Sequence, residues 1–275
     1  MKNYKLQMLI PMIIIILCGS YLLIQSEKGL NLDIDFKGGT EITIESSYSL
    51  DISKIEDVLS KYSVSIREAK GVSGYSTMIG FDSSINPTDV INQLKQNGFT
   101  IESYSVQTMS PLLSESFFDQ AKIVLMISFI FMAFVIFFIF KSPLISAYIA
   151  LCPAFDIIET LALTQLLGFK LSLASFAALL MIVGYSVDDD VVVAKRALSR
   201  TDVSMEERFK GSWKTSVTTT AATVIALACL FMLSVSSVIT QIAIFLVIGL
   251  TFDFMNTWLL DANLLKWHIE RKGVK

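Results

Sequence analysis

The sequence predicts a polytopic α-helical membrane protein with six transmembrane helices and one external α+β domain. Hydrophobic residues make up 53% of the 275 positions and charged residues only 17%, whereas a soluble domain has about 25% charged residues. Six apolar runs are each near the roughly 20 residues with which a helix crosses a bilayer. A polar segment, residues 26–120, separates the first run from the second.

The candidate spans are Leu6–Gln25, Ala121–Phe140, Leu144–Leu167, Leu171–Ala194, Val217–Ser234 and Val238–Leu260. The first follows Lys2 and Lys5, as a signal peptide would, but it is too long for one and no small-residue cleavage site follows it. We expect it to remain as a membrane anchor. The predicted organisation is a first span within 1–25, an external domain at 26–120, five further spans at 121–265 and a basic tail at 266–275.

Lysine and arginine predict the orientation, because short cytoplasmic loops carry an excess of these residues. With the N-terminus inside, the loop near 195–216 and the tail are basic, whereas the opposite short loops hold only Lys170. Both termini are therefore predicted to be cytoplasmic and segment 26–120 extracytoplasmic. The basic residues on the cytoplasmic face are Lys2, Lys5, Lys141, Lys195, Arg196, Arg200, Arg208, Lys210, Lys214, Lys266, Arg271, Lys272 and Lys275.

The external segment alternates between strand and helix patterns. The predicted elements are strands at Leu32–Phe36 and Glu41–Glu45, a helix after Asp51, strands at Val64–Glu68 and Ser76–Phe81, a helix from Pro87 to Asn97, and a strand at Phe99–Val106. After the opening strand, this βαββαβ order predicts a small ferredoxin-like sandwich. Gly38 and Gly39 lack the spacing of a nucleotide-binding motif and precede a strand, so we interpret them as a tight turn with positive φ.

Acidic residues inside spanning helices are costly and usually face the bundle interior or a watery path. Asp156 lies near the middle of the third span, with Glu159 on the same face three residues later. Pro153, one turn earlier, leaves backbone carbonyls free to join a polar site. The sixth span contributes Asp253 and Asn256, which are again three residues apart. These side chains are the candidates for an intramembrane polar site.

The fourth span ends in the triplet Asp188–Asp190, whose side chains fan over about 200° and cannot all face one groove. Asp188 shares a stripe of small residues with Gly184, and such stripes allow close helix packing. Packing therefore favours Asp188 as the inward acid. Asp190, like Asp261 at the end of the sixth span, is as readily explained as an interfacial residue.

The fifth span carries a hydroxyl stripe at helical spacing that includes Ser216 and Thr219, for which helix packing is the simplest interpretation. The acids suggest more, because burial disfavours the charged form of a carboxyl group. Moving one charge through the membrane potential is worth about 2.3 kcal/mol per 100 mV, and no ATP site is visible in the sequence. We therefore hypothesise a proton-driven conformational cycle without catalytic residues, cofactors or metal.

Four motifs occur in order along this frame. Asp35-Phe36-Lys37-Gly38-Gly39-Thr40 follows the first span, Ser110-Pro111 leads into the second, Gly184-Tyr185-Ser186-Val187-Asp188-Asp189 ends the fourth, and Thr215-Ser216-Val217-Thr218-Thr219 opens the fifth. Together they resemble the SecF family, whose members pair with SecD in protein export and belong to the resistance–nodulation–division superfamily. The resemblance covers nearly the whole chain.

The departures from the bacterial pattern concern charged positions. A bacterial His-Asp pair is Phe155-Asp156 here, so only the aspartate carries over. The resemblance places the bacterial-type acid at Asp189, whereas archaeal relatives have acids at the two flanking positions of Asp188–Asp190. The bacterial arginine before the fifth span falls near Gly211, where Lys210 and Lys214 are candidate substitutes. These departures favour an archaeal source and leave the choice within the triplet open.

The resemblance implies a non-enzymatic subunit in the plasma membrane of a prokaryote. Its implied partners are a SecD-like subunit, a SecY-type channel, the translocating polypeptide, the lipid bilayer and protons, and no nucleic acid. Two alternatives remain open. One is half of an exporter of small molecules or lipids from the same superfamily, and the other is a purely structural translocase subunit whose acids serve assembly alone.

Overall fold

The structure is a computed structural model that describes residues 4–71, 74–101, 103–199, 203–233 and 236–272. Its elements are α1 (Tyr4–Lys28), α2 (Ile34–Lys37), β1 (Gly39–Ser46), α3 (Ile52–Val58), β2 (Ser65–Gly71), β3 (Gly74–Phe81), α4 (Pro87–Gln96), β4 (Ser103–Met109), α5 (Pro111–Phe140), α6 (Pro143–Leu166), α7 (Leu173–Ser199), α8 (Met205–Leu233), α9 (Ser237–Asn256), a π-helical segment (Thr257–Asp261) and α10 (Ala262–Lys272). Lys2, Arg200 and Lys275, which support the predicted orientation, lie outside the described residues.

Within the described ranges, five helical stretches are long and apolar enough to cross a membrane. They are Leu6–Glu27, Pro111–Phe140, Pro143–Leu166, Met205–Leu233 and Val238–Arg271. Helix α7 is 27 residues long, but Asp188–Asp190 interrupt its apolar run and it is not among the five. Because α7 extends to Ser199 and α8 begins at Met205, most of the predicted loop near 195–216 is helical.

The external sheet has the strand order β2–β3–β1–β4, and every neighbouring pair is antiparallel. Helices α3 and α4 cover one face, where Ile42, Ile44, Ile79 and Leu94 are fully buried. The predicted helix caps are confirmed: Asp51 accepts a hydrogen bond from the Lys54 backbone at the start of α3, and α4 starts at Pro87 and ends before Asn97. The opposite face of the sheet turns toward the bundle.

The predicted opening strand at Leu32–Phe36 is wrong. Residues Ile34–Lys37 form the short helix α2, because the Asp33 side chain accepts a hydrogen bond from the Ile34 backbone and caps it. Only Leu32 keeps an extended pairing, as an isolated parallel bridge to Leu171 between α6 and α7. A local side-chain cap here outweighs the alternating pattern.

The glycine pair forms the predicted turn, which is confirmed by φ angles of 81° at Gly38 and 132° at Gly39. A Cβ atom at Gly38 would lie 2.7 Å from the Cα atom of Pro111, the first residue of α5. The ring of Phe36 is buried next to this turn. Its centroid lies 5.5 Å from that of Phe118 in α5 and 6.4 Å from that of Phe176 in α7. The motif therefore packs the sheet against the first turns of α5 and α7, the ends of these helices nearest to it.

In the bundle, α7 packs against α6, α8 and α9. The helices approach closely at Gly249 of α9, where an added Cβ atom would overlap the Ile182 side chain of α7 and lie 3.2 Å from the Thr160 hydroxyl of α6. A glycine at this point allows three helices to meet closely. This close packing brings the acidic segments of α6, α7 and α9 together.

Candidate functional site

Asp156 lies at the centre of a buried polar cluster formed by α6, α7 and α9. Its Oδ2 atom accepts a hydrogen bond of 2.7 Å from the Ser186 hydroxyl of α7, and its Oδ1 atom accepts one of 2.8 Å from the Asn256 amide of α9. Asp156, Ser186 and Asn256 are all fully buried. One carboxyl group thus bonds to two neighbouring helices at once.

The Asn256 side chain bridges the two acids of α6. Its amide nitrogen also donates a 2.6 Å hydrogen bond to Oε2 of Glu159, which is fully buried as well. The other carboxyl oxygen of Glu159 and the amide oxygen of Asn256 have no hydrogen-bond partner within the described ranges. The predicted i, i+3 pairs on the third and sixth spans therefore meet in one site, which retains unsatisfied polar atoms.

A second acidic pair lies next to this cluster. Asp190 of α7 accepts a 2.8 Å hydrogen bond from the Thr257 hydroxyl, and one of its carboxyl oxygens, one of Asp261 and the Cys152 sulfur lie within 4.8 Å of one another. All three side chains are buried. This spacing would suit two carboxyl groups that share a proton, or a bridging ion. The interpretation of Asp190 and Asp261 as interfacial residues is therefore wrong.

The π-helical segment explains why Asp261 reaches this site. In a regular α-helix, Asp261 would be rotated about 80° from Asp253, eight residues earlier. A π turn inserts about one extra residue, which returns Asp261 to within about 20° of Asp253. Helical periodicity could not find this residue because the irregular turn carries no sequence signature.

None of these buried acids forms an ion pair with a lysine or arginine in the described part of the chain. Asp253 is also buried, and its Oδ1 atom lacks a hydrogen-bond partner in the described part of the chain. The ion pairs among the described residues all lie on the external domain or at Lys122–Asp119 near the start of α5. The bundle therefore holds five buried carboxyl groups without a lysine or arginine partner, those of Asp156, Glu159, Asp190, Asp253 and Asp261.

Asp189 is half-buried and faces α8. Its Oδ2 atom accepts a 2.8 Å hydrogen bond from the Ser216 hydroxyl, which in turn accepts one of 3.2 Å from the Trp258 indole. Thr219 and Lys214 do not join this group: both are exposed, and the Thr219 hydroxyl donates to carbonyls of its own helix. The predicted hydroxyl stripe thus reaches the acids only at Ser216.

The choice of Asp188 as the inward acid is wrong within this chain. Asp188 is exposed, and so are the other members of its stripe, Ala177, Met181 and Gly184. Tyr185, which lies outside that stripe, is exposed as well. Ser186 and Asp190 occupy the inward face instead, because the bulkier Ile182 and Val183 direct that side of α7 to the core. The stripe of small residues remains uncovered on the bundle surface.

Asp35 connects the external sheet to the bundle. Its Oδ2 atom accepts a 2.9 Å hydrogen bond from the backbone of Leu173, the first residue of α7, and its Oδ1 atom accepts one of 3.3 Å from Gln107 of β4. Burial raises the pKa of Asp35 above its usual range, and the Leu173 amide opposes this shift. Asp35 therefore links β4 to the helix that carries Asp190.

A second connection between the external segment and the bundle, through the Gln165 side chain, was not predicted. Gln165, at the end of α6, accepts a 2.8 Å hydrogen bond from the Asn31 backbone through its side-chain oxygen, and its amide donates to the Asn31 and Phe169 carbonyls. Gln165 is buried. A lone glutamine at a helix end carries no recognisable signal in a single sequence. The helix that carries Asp156 is thus bonded to the external segment.

Comparison with known proteins gives the family. Residues 89–271 match the family described as protein export membrane protein SecD/SecF, C-terminal. The chain is 35% identical to the protein-export membrane protein SecF of Methanocaldococcus jannaschii, with 100% of this chain and 99% of the relative aligned. The chain belongs to the SecF family. A second SecF protein, from Methanothermobacter thermautotrophicus, is 32% identical over 98% of this chain and 94% of its own.

Solved structures agree with this family at the level of the fold. The SecF-family chain aligns over 98% of its length, with a TM-score of 0.83 and 18% identity, to the crystal structure of SecDF, a translocon-associated membrane protein from Thermus thermophilus. It spans only 38% of that chain. A second SecDF structure, in a super-membrane-facing form, matches with a TM-score of 0.66 over 99% of this chain.

Proposed function

We propose that this SecF-family protein is an accessory subunit of the Sec translocase that works with a SecD-like subunit and couples polypeptide export to the proton gradient. Membership of a family of protein-export membrane subunits supports the export role. The coupling role rests on one observation, the five buried carboxyl groups without a cationic partner. A charged carboxylate in such a place is costly, and binding a proton removes the charge.

Asp156 is the proposed centre of the proton response. When protonated, it can keep its hydrogen bond from Asn256 and donate its own proton to an acceptor. When ionised, it attracts the Ser186 and Asn256 donors more strongly, because hydrogen bonds to charged groups are stronger. The two states therefore favour different spacings of α6, α7 and α9. The membrane potential, worth about 2.3 kcal/mol per charge per 100 mV, can bias such a choice.

The external domain is the part of the protein that we propose to move in response to protonation of the buried acids. Helix α6 carries Asp156 and bonds to Asn31 through Gln165, and α7 carries Ser186 and bonds to Asp35 at its first residue. Small shifts of these helices, of the 1–2 Å size seen in other switching proteins, would then tilt the sheet. We interpret the external segment as a ferredoxin-like domain, which its sheet order and element order support.

The exposed stripe around Asp188 is the proposed contact with the SecD-like subunit. An aspartate that faced lipid would be costly, and small residues such as Gly184 and Ala177 favour close helix packing. A partner helix packed against this face of α7 would cover both the Asp188 side chain and the small residues. In this arrangement α7 completes the set of six transmembrane helices as the fourth in chain order, both termini are cytoplasmic and residues 26–120 are extracytoplasmic. The SecY-type channel and the translocating polypeptide are the remaining proposed partners.

The decisive experiment combines co-purification with an export assay. A tagged chain extracted in mild detergent should recover a SecD-like subunit and channel components. In membrane vesicles, Asp156→Asn should abolish the stimulation of export by a proton gradient while leaving that co-purification intact. Asp57→Asn, the same substitution at an exposed position of α3, is the matched control.

Three outcomes separate the alternatives. Gradient stimulation that survives in Asp156→Asn contradicts the coupling role. Loss of the SecD-like subunit together with export in that variant favours a purely structural subunit whose acids serve assembly. Recovery of the chain alone as a self-associated complex favours half of a small-molecule or lipid exporter.

A further inference from the structure

A cavity of about 1250 Å³ separates the open face of the external sheet from the outer end of the bundle. Strand register fixes which side chains form its roof, because alternate residues of a strand point to the same face. The roof consists of Glu41, Thr43 and Glu45 of β1, Arg67 of β2, Ser76 and Met78 of β3, and Ser105 and Gln107 of β4. The floor is mainly apolar and includes Leu167, Phe169, Leu173, Phe231, Val238 and Ile244.

The roof is negatively charged. Arg67 is its one basic side chain among the described lining residues, and it is already paired with Asp33 at 3.3 Å and with Glu41 at 3.1 Å. Glu45 is exposed and has no ion pair in the described ranges; its nearest polar contact is a 3.5 Å bond from Ser103. Lys170 also attracts Glu41 and Asp33, so the uncompensated negative charge of the roof lies at Glu45, above an apolar floor.

Two polar groups of the roof also lack partners. The Ser76 side chain is only 6% exposed, and its hydroxyl has no hydrogen-bond partner among the described residues. The Nε atom of Arg67 is buried and equally unpaired. Both groups can donate a hydrogen bond to a carbonyl oxygen, and a buried donor left unpaired costs about 1–3 kcal/mol. A ligand that brings backbone carbonyls would satisfy them.

We propose that this cavity binds a short extended segment of polypeptide in which basic and apolar residues alternate. Successive side chains of an extended chain point to opposite sides, so the basic ones would face the Glu45 side of the roof while the apolar ones contact the floor. The inference rests on the proposed export function, in which the segment belongs to a translocating chain. Its carbonyls would accept hydrogen bonds from Arg67 and Ser76.

The dimensions set the size of the segment. Four strands at about 4.8 Å spacing give a roof roughly 14 Å wide, which about four extended residues cross at 3.3 Å each. So small a contact implies weak, reversible binding. A chain in transit would need such a contact, because a tightly held segment would stall.

The first test measures binding of labelled synthetic peptides to the full chain in detergent by fluorescence anisotropy. A peptide of alternating lysine and leucine should bind at least about tenfold more tightly than one of alternating glutamate and leucine. Added salt should weaken the binding of the lysine peptide. Glu45→Lys should weaken the lysine peptide by about tenfold. Glu56→Lys, the same charge change at an exposed position of α3, should have less than a twofold effect.

Equal effects of the two substitutions would overturn the proposal, because they would reduce the binding to general attraction by an acidic protein. So would equal affinity for the two peptides. Glu45→Gln provides a check on folding, since it removes the charge without reversing it and should weaken binding about threefold.

The second test places a photo-crosslinking residue at Thr43, in the middle of the roof, or at Glu56. Label should transfer to the lysine peptide from position 43 and not from position 56. Label that reaches only phospholipid from position 43 would identify a lipid site and overturn the polypeptide assignment. Because neither test needs SecD, the channel or a proton gradient, failure here is distinguishable from failure of the proposed export function.

Discussion

Replacing Asn256 tests whether the buried acids are neutral. Its amide nitrogen donates to Asp156 at 2.8 Å and to Glu159 at 2.6 Å, and Asn256→Leu removes both bonds while nearly keeping the volume. A hydrogen bond between neutral groups contributes about 1 kcal/mol, and one to a charged group about 1.5–3 kcal/mol. The variant should therefore lose about 2 kcal/mol if both acids are protonated and about 3–6 kcal/mol if both are ionised.

We expect a loss of about 2 kcal/mol at neutral pH, because none of the buried acids has a cationic partner among the described residues. The assay is reversible unfolding in mixed detergent micelles, followed by tryptophan fluorescence. Trp213 and Trp258, whose ring centroids are 4.7 Å apart, pack near the site and should report its opening. Thr251→Val is the control, because the Thr251 hydroxyl is exposed on the same helix and bonds only to the Val247 carbonyl.

Two results would refute this reasoning. A loss below about 0.5 kcal/mol, the level of an ordinary surface substitution, would mean that the amide does not hold the two carboxyl groups. A loss of about 6 kcal/mol that is the same at acidic and mildly alkaline pH would mean that both acids are permanently ionised. The proposed proton exchange at Asp156 would then fail.

Three further predictions concern packing and the external connection. Gly249→Ala should cost about 1–3 kcal/mol of unfolding free energy by overlap with Ile182, and Ile182→Ala in the same chain should recover part of that loss in a double-mutant cycle. Gly38→Ala should destabilise the chain by about 1–3 kcal/mol in the same unfolding assay, because the position combines positive φ with contact to Pro111. Burial raises the pKa of Asp35, so folding favours the protonated form of this side chain. The stability of the native chain relative to Asp35→Asn should therefore be greatest at low pH and should fall as the pH rises from about 4. Thermal melts of both chains across this pH range would measure the difference.

Helical spacing was sufficient to group the acids within each span. Asp156 with Glu159, and Asp253 with Asn256, share faces because residues three apart are neighbours on any regular helix. The cap at Asp51 and the start of α4 at Pro87 follow from local chemistry in the same way. Sequence periodicity cannot say which faces of different helices meet, so the bridge from Asn256 to both acids of α6 emerged only in three dimensions.

The choice of Asp188 failed for a related reason. Small residues such as Gly184 do favour close packing, but the rule does not say whether the neighbour belongs to the same chain. In this structure, Ile182 and Val183 direct the other face of α7 inward. Asp261 was missed because its placement depends on the π-helical segment, and Leu32–Phe36 because a cap at Asp33 competes with the strand.

The two connections to the external domain have a consequence for coupling. Asp156 and Gln165 are nine residues apart on α6, about 13 Å along the axis, and Ser186 and Leu173 are thirteen residues apart on α7, about 20 Å. Both helices are therefore bonded to each other at the acids and to the external segment at their outer ends. A change in the bond between Asp156 and Ser186 cannot move one helix freely, because Gln165 holds Asn31 and Leu173 holds Asp35. Helices α6 and α7 must therefore tilt together or strain their bonds to Asn31 and Asp35. Close packing at Gly249 resists a gradual deformation of the bundle that would otherwise absorb a small helix shift. Under the proposed coupling, removing either the Gln165–Asn31 or the Leu173–Asp35 bond should leave proton binding at Asp156 intact while the sheet ceases to respond to it.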